Sequence, residues 1–352
     1  MNKFNLENSL KVIGKDEQLR NIFLTFIKEV EKNLSYNGSV RDDITRYLVD
    51  ALFEIDDFVF KSCQDGTKYK FSTGIGSKVG REFLLSIPEI PEFVWEPQTT
   101  KLLLYLAKNV KNIVIGGAYF GEQVLPIAKR IEEHSGIVHA FDLNEKQLSI
   151  LKENLVLNDL KNVNIVHKGL WNDSKTFLNL SEINDFAFAM PSSDSMLSNT
   201  ITIDEYIEEN KMEGVDLIML DIEGSELNVL NGARNQLKKD SGYPNVVFEI
   251  HNAYVDWSDG LDNTPIAKYL KSYGYTLYAI RDFQGNYDMR GKPIELINPE
   301  DTVTDGPKHG FNMLAIKDKN LINNNLFKIC KNVSPKYILH KNPALHHHTD
   351  GK

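Results

Sequence analysis

From Asn112 onward the chain alternates short β-branched runs with segments whose apolar residues recur at spacings of three and four, which restricts it to βαβ units around a mostly parallel sheet. The strand "NIVIG" leads into a helix with Val124, Ile127, Ala128 and Ile131 on one face, and "GIVHAFD" into one with Leu148, Leu151 and Leu155 inward. "VNIVHKG" reads as a third strand, and "VDLIMLD", apolar almost throughout, as a central one. The helix after Gly224 turns Val229, Leu230, Ala233 and Leu237 inward. "NVVFEIH" precedes a helix with Thr264 as N-cap, Pro265 at the first position and Gly274 as the stop; "YTLYAI" and "FNMLAIK" close the sheet. Thr202 and Glu205 have capping-box spacing. Residues 170–200 read as short edge strands and loops, and 281–310, punctuated by glycine and proline, as a functional or mobile loop.

Residues 1–60 carry a different pattern. Ile22, Phe23, Phe26, Ile27 and Val30 share one helical face, and Tyr47, Leu48, Ala51 and Leu52 another, which predicts an appended helical unit for substrate recognition or dimerisation. Residues 61–94 read as a hairpin turning at Asp65-Gly66 and a connector stiffened by Pro88, Pro91 and Pro97 just beyond it. The α/β domain then spans 95–320, followed by a tail, 321–352, whose His346, His347 and His348 read as surface rather than a metal site. A net charge of −9 argues against a nucleic-acid binder, since phosphate affinity needs clustered Lys and Arg. Cys63 and Cys330 are too few for a disulfide framework or zinc cluster, and with no apolar leader or membrane-spanning run the expected compartment is the cytoplasm.

What the domain holds is written in "VIGGAYFG". Gly116, Gly117 and Gly121 follow the first strand, but Ala118 stands where a dinucleotide fingerprint needs its second glycine. The Gly117–Gly121 turn instead suits a ligand without a pyrophosphate, whose amino-acid end rests on backbone amides; S-adenosylmethionine is one. Asp142, at the end of the second strand and 21 residues beyond Gly121, is placed to accept both hydroxyls of a ribose, although it also stands where a helix N-cap would. "DLIMLDIEGSE" delivers Asp221, Glu223 and Glu226 at the carboxyl end of a strand, where open α/β sheets bind ligands, and "VVFEIH" places Glu249 and His251 likewise. Glu226 fits a helix-start role complementing the dipole.

Together, "VIGGAYFG", "VHAFDLNEKQLSILKENLVLND", "TIDEYI", "VDLIMLDIEGSELNVLNGA", "VVFEIH" and "NMLAIK" resemble the FkbM-type family of class I S-adenosylmethionine-dependent methyltransferases, over roughly Trp95 to Lys317. The resemblance implies an α/β, Rossmann-like fold, with a seven-stranded, mostly parallel sheet carrying one antiparallel strand and an N-terminal helical extension. It implies a methionine site at Gly117, Ala118, Tyr119 and Gly121, with the ribose on Asp142 and the adenine beside Leu143, Asn144 and Leu170. Asp221 would sit beside the amino group or the transferring methyl. Where the family usually has Asp, this chain has Ile115, and where Asn often stands it has Tyr119. Cofactor binding is then either weakened or supported by Glu122 or Glu96.

The expected activity is O-methyl transfer to a sugar hydroxyl in bacterial surface-glycan biosynthesis, such as capsule or O-antigen, the Asn-, Lys- and Ile-rich composition being that of an AT-rich microbial genome. His251, Glu249 and Asp221 are the candidate bases in that order. Asp221, Glu223 and Glu249 are the residues that a divalent cation would use, with metal dependence left open. The acceptor, a sugar or glycan, would lie between the 281–310 loop, Trp95, Tyr254 and Trp257. Expected partners include neither nucleic acid nor membrane; a homo-oligomer would form through the N-terminal helices. The alternatives are a non-catalytic assembly partner of glycan enzymes, a methyltransferase for a non-sugar natural product, and an NAD-dependent epimerase, for which no Tyr-x-x-x-Lys pair lies on a suitable helix.

Overall fold

Two strands before the α/β domain, β1 (Phe58–Ser62) and β2 (Lys68–Ser72), form the hairpin that turns at Asp65-Gly66. β3 (Asn112–Gly116), β4 (Ile137–Phe141) and β5 (Val163–Val166) begin the main sheet. A small mixed sheet follows, with β6 (Gly169–Leu170), β7 (Phe177–Ile183), β8 (Phe186–Ser192) and β9 (Ser198–Ile201) in the order β6-β9-β7-β8, antiparallel except for the β6–β9 pair. The main sheet resumes with β10 (Leu217–Leu220), β11 (Asn245–His251), β12 (Thr276–Ile280), β13 (Ile294–Ile297), β14 (Gly310–Ile316) and β15 (Phe327–Cys330). This computed structural model describes residues 6–36, 40–54, 57–63, 65–72, 78–85, 95–183, 186–193, 198–283, 285, 287–304 and 309–337. Most of the proline connector and the histidine tail lie outside them.

The seven expected strands run in the order β5-β4-β3-β10-β11-β14-β12, parallel except for β14, which is antiparallel to both neighbours. Two further strands extend the sheet to nine: β13 pairs with β12, and β15 with β13. The reading of 281–310 as loop is therefore corrected. Ile294–Ile297 has only four residues, too few for a period to separate strand from loop, and its pairing partners lie far off in sequence.

Both faces of the sheet are covered. Along β10, Leu217 and Met219 join one core, with the helices Pro97–Leu106, Val124–Glu132 and Glu145–Leu157; Ile218 and Leu220 join the other, with Ile203–Glu209, Glu226–Asn231 and Pro265–Ser272. A strand buried on both sides has no polar alternation, which is why "DLIMLD" is a continuous apolar run. An aspartate stands at each end of the run, Asp216 accepting the amides of Lys111 and Asn112 at the amino end and Asp221 at the carboxyl end, where the site begins. The capping box at Thr202 and Glu205 is formed, and Thr264 Oγ1 accepts from Ala267 N–H ahead of Pro265.

The N-terminal helices pack differently from their spacing. In Glu17–Asn33, Leu24 and Ile27 are buried and Phe23 and Val30 half-buried, whereas Ile22 and Phe26 are 61% and 57% exposed, so the inward stripe keeps three of the five residues chosen from the pattern and adds Leu24. Tyr47 also faces outward. The hairpin is docked on the domain: Lys70 N–H donates to Asn154 Oδ1 at 2.6 Å, and Asn154 Nδ2 donates to the carbonyls of Lys70 and Phe120, both at 2.9 Å. Tyr69, Phe71, Phe83 and Phe120 form one ring cluster beneath the glycine turn.

Candidate active site

The glycine turn leaves β3 at Gly116 and passes directly beside the end of β10. Gly117 has φ +83°, and a Cβ there would lie 2.0 Å from the carbonyl oxygen of Asp221, so both conformation and space require glycine. The amides of Gly117 and Ala118 share the Phe141 carbonyl, each at 3.0 Å, which ties the turn to the end of β4. Tyr119 follows at φ +46°, an uncommon conformation for a side-chain-bearing residue, held because its N–H donates to Asp142 Oδ2 at 2.8 Å. Asn144 N–H donates to the other oxygen of Asp142 at 2.8 Å. Burial raises the Asp142 carboxyl above its ordinary range, against these backbone bonds. Helix capping falls instead to Asn144, whose side chain accepts from Gln147 N–H. Asp142 is thus the brace of the turn as well as a cavity wall, and a carboxylate keeps lone pairs for further donors.

A cavity of about 280 Å³ opens over this turn at the carboxyl ends of β3, β4, β10 and β11. Gly117, Tyr119, Asp142, Leu143, Asn144, Leu170, Asp221, Glu223, Glu249 and Glu96 all line it. Ala118 and Gly121 do not: Ala118 is 1% exposed in the core, and Gly121 at φ +101° packs against Leu125 and Leu151.

At the far end the carboxylates converge. One ligand oxygen from each of Asp221, Glu223 and Glu249 lies within 4.8 Å of the others. Asp221 and Glu249 share a side-chain hydrogen bond; burial lifts Asp221 to about 6, and burial with Asp221, Glu223, Glu226 and Glu96 around it pushes Glu249 well above the carboxylate range. Two carboxyls this close do not both ionise readily, so Glu249 keeps its proton to higher pH than Asp221. Glu226, by contrast, spends Oε1 on the amides of Ile222 and Gly224 at 3.1 and 3.3 Å, holding the turn.

Two groups that the sequence did not single out complete this end. Asn312, a lone amide in the apolar run of β14, stands opposite Glu249 in the ladder and donates to Glu96 Oε2 at 2.6 Å. Glu96 itself is left-handed at φ +43°, and burial, with Asp221 and Asp282 nearby, pushes its carboxyl well above the ordinary range. Asp282 accepts from the amides of Gln98 and Thr99 at 2.9 and 2.6 Å, capping from outside the helix that begins at Pro97 just after Glu96. A polar residue inside an apolar strand was the available signal for Asn312.

Several expectations for the acceptor side are corrected. No described residue of 281–310 lines the cavity; Leu178, Leu180 and Ala189 of the β7–β8 hairpin do, with Lys168, Trp171 and Trp95. Trp257 is 9% exposed and packs on His309 and Phe311, a core residue rather than a sugar platform. Tyr254 lies over Gly224, where a Cβ would meet its ring at 2.6 Å. His251 is not at the cavity wall, and its Nδ1 accepts from Ala253 N–H at 2.9 Å. Among the described residues no helix is long and apolar enough to cross a membrane.

The order of the seven core strands, with β14 alone among them antiparallel, and the glycine-turn cavity are those of the class I S-adenosylmethionine-dependent methyltransferase fold. Residues 116–277 match the family model described as "Methyltransferase FkbM domain", so this part of the chain carries an FkbM methyltransferase domain. Similar solved structures include a SAM-dependent methyltransferase from Agrobacterium tumefaciens (11% identity, 75% of this chain and 70% of that one, TM-score 0.40). Another is an O-methyltransferase from Bacillus cereus in complex with SAH (14%, 65% and 85%, TM-score 0.37). A third is an rRNA methylase from Streptococcus thermophilus (11%, 62% and 92%, TM-score 0.34). No curated protein matches the sequence.

Proposed function

We propose that this enzyme transfers the methyl group of S-adenosylmethionine to a hydroxyl of a sugar, in the assembly of a bacterial surface glycan. The observation that carries the reading is the close approach of the Asp221 and Glu249 carboxylates at the end of the glycine-turn cavity. The residues present fit the cofactor: Gly117 and Tyr119 put main chain at the cavity wall, and Glu122 Oε2 is an enclosed acceptor without a protein partner. Gly117, Tyr119 and Glu122 would hold its methionine end, Asp142 its ribose, and Leu143, Asn144 and Leu170 its adenine. Bound there, the cofactor supplies an already activated methyl, so that what the protein must add is alignment and exclusion of water, worth roughly 7–11 kcal/mol of the barrier.

A hydroxyl must lose its proton as the new bond forms. Asp221, lifted to about 6, is matched to taking it near neutral pH, with Glu249 as the second member of the pair. His251 is the weaker candidate, because an Nδ1 that accepts an amide leaves the neutral ring with its proton on Nε2. Carboxylates that accept hydroxyl protons, beside the half-buried face of Trp95, suit a sugar ring. The test is incubation with methyl-labelled cofactor and panels of neutral glycosides, nucleotide sugars and phenolic natural products. Label on a sugar hydroxyl supports the proposal; label on phenols alone, or on none of the panels by protein that binds the cofactor, sinks it.

A second reading is favoured by the convergence of Asp221, Glu223 and Glu249 within 4.8 Å, a spread that suits an oxygen-seeking divalent cation holding two neighbouring hydroxyls. On that reading chelation abolishes transfer and magnesium or manganese restores it; on the first, chelation changes nothing.

A further inference from the structure

Glu122 is an acid without a counter-charge. It follows Gly121 at the foot of the turn, lines the cavity, and has its Oε2 enclosed with no hydrogen-bond partner. The groups facing it are the backbone amides of Glu122 itself and Gly121, which donate to its carboxyl, Tyr69, whose hydroxyl donates to the Glu122 carbonyl at 3.4 Å, Asp142 at the end of β4 and Asp221 at the end of β10. None of these is a cation, and burial with the two acids brings Glu122 to about 8. Glu96, the other acid at this end, already receives the Asn312 amide. A buried acceptor in such a setting costs free energy until a donor reaches it, and a cationic donor satisfies both the lone pair and the charge.

Resting on the reading that the cavity holds S-adenosylmethionine, we infer that Glu122 is the receptor for the α-ammonium group of the cofactor's amino-acid end. The ammonium, not the sulfonium, is the partner, because an orphaned oxygen needs an N–H donor and the sulfonium has none. Ile115, 1% exposed in the strand before the turn, has no polar atom to offer, so the charge is supplied from the start of the next helix. Binding then ionises Glu122 and releases its proton, and affinity rises with pH up to about 8.

The test is calorimetric titration of wild type and Glu122→Gln with S-adenosylhomocysteine, which keeps the ammonium and lacks the sulfonium, and with 5′-methylthioadenosine, which lacks the amino-acid end. Wild-type titrations are repeated in buffers of different ionisation heat to count released protons. The expected result is a loss of about tenfold or more for S-adenosylhomocysteine in the variant, with methylthioadenosine unchanged and the released proton abolished. Unchanged S-adenosylhomocysteine affinity, an equal loss for both ligands, or proton release that persists in the variant overturns the assignment while leaving the cofactor reading intact. Failure of folded wild type to bind S-adenosylhomocysteine removes both.

Discussion

The backbone of Gly117 lies against the carbonyl of Asp221 so closely that a single added carbon would stand 2.0 Å from the oxygen. The turn that would hold the methyl donor and the strand end that would hold the catalytic acid are therefore one rigid junction, fixed further by the Asp221 N–H donating to the Gly116 carbonyl at 3.0 Å. The spacing of the two main-chain segments is set by this junction.

Gly117→Ala should thus be more damaging than a positive-φ glycine change elsewhere. Gly274→Ala, at φ +85° with open space around it, carries backbone strain alone, about 1 kcal/mol. Gly117→Ala adds the clash and should cost several-fold more stability and abolish S-adenosylhomocysteine binding. Thermal melts and titration of the two variants compare them; equal effects would mean that the junction is not tight.

Gly310 faces Glu249 and His251 across the ladder, and a Cβ there would come within 2.3 Å of Glu249 Oε1 and 2.7 Å of His251 Cδ2. Gly310→Ala should displace the Glu249 carboxylate and lower transfer by about 10²-fold or more, the usual range for a mispositioned proton acceptor, while S-adenosylhomocysteine still binds. A single-turnover assay beside a titration separates the two; loss of binding instead would place Glu249 in cofactor retention.

Asp221→Asn and His251→Ala rank the bases. The geometry predicts a loss of about 10²–10⁴-fold for Asp221→Asn and a few-fold at most for His251→Ala. The rate profile of the wild type should rise with pH through about 6 as Asp221 loses its proton. Equal losses in the two variants would restore the imidazole to the central role.

Stability should fall as pH rises. Burial holds the carboxyls of Asp221 and Asp282 at about 6, Glu226 at about 7 and Glu122 at about 8. In an unfolded chain such groups lose their protons near about pH 4, so above that the unfolded state binds fewer protons and gains on the folded one until each folded pKa is passed. Melting temperature should drop from mildly acidic pH to about 8 and then level, with the last part of the drop missing in Glu122→Gln. A melting temperature that climbs across this interval would contradict the burial of these acids.

Much of this was legible in the residues. Periodicity located the seven core strands because each pairs a buried apolar run with a helix of clear amphipathic face, and the glycine turn, Asp142 and the Asp221–Glu249 end announced themselves by residue type at strand termini. What escaped was set by long-range pairing: β13 and β15 have only four residues each, and the part that Leu178, Leu180 and Ala189 play in walling the cavity depends on where their strands fold back rather than on their own pattern. Asn312 and Asp282 act on Glu96 across more than 180 positions of sequence, which no local pattern records.

The central claim is that the Gly117–Asp142 cavity holds a methyl donor, and calorimetric titration of the folded protein with S-adenosylhomocysteine tests it most directly. The account predicts micromolar binding that is lost in Asp142→Ala, because that change removes both the ribose acceptor and the brace on Tyr119. Absence of binding to folded wild type, or binding indifferent to Asp142→Ala, would contradict it.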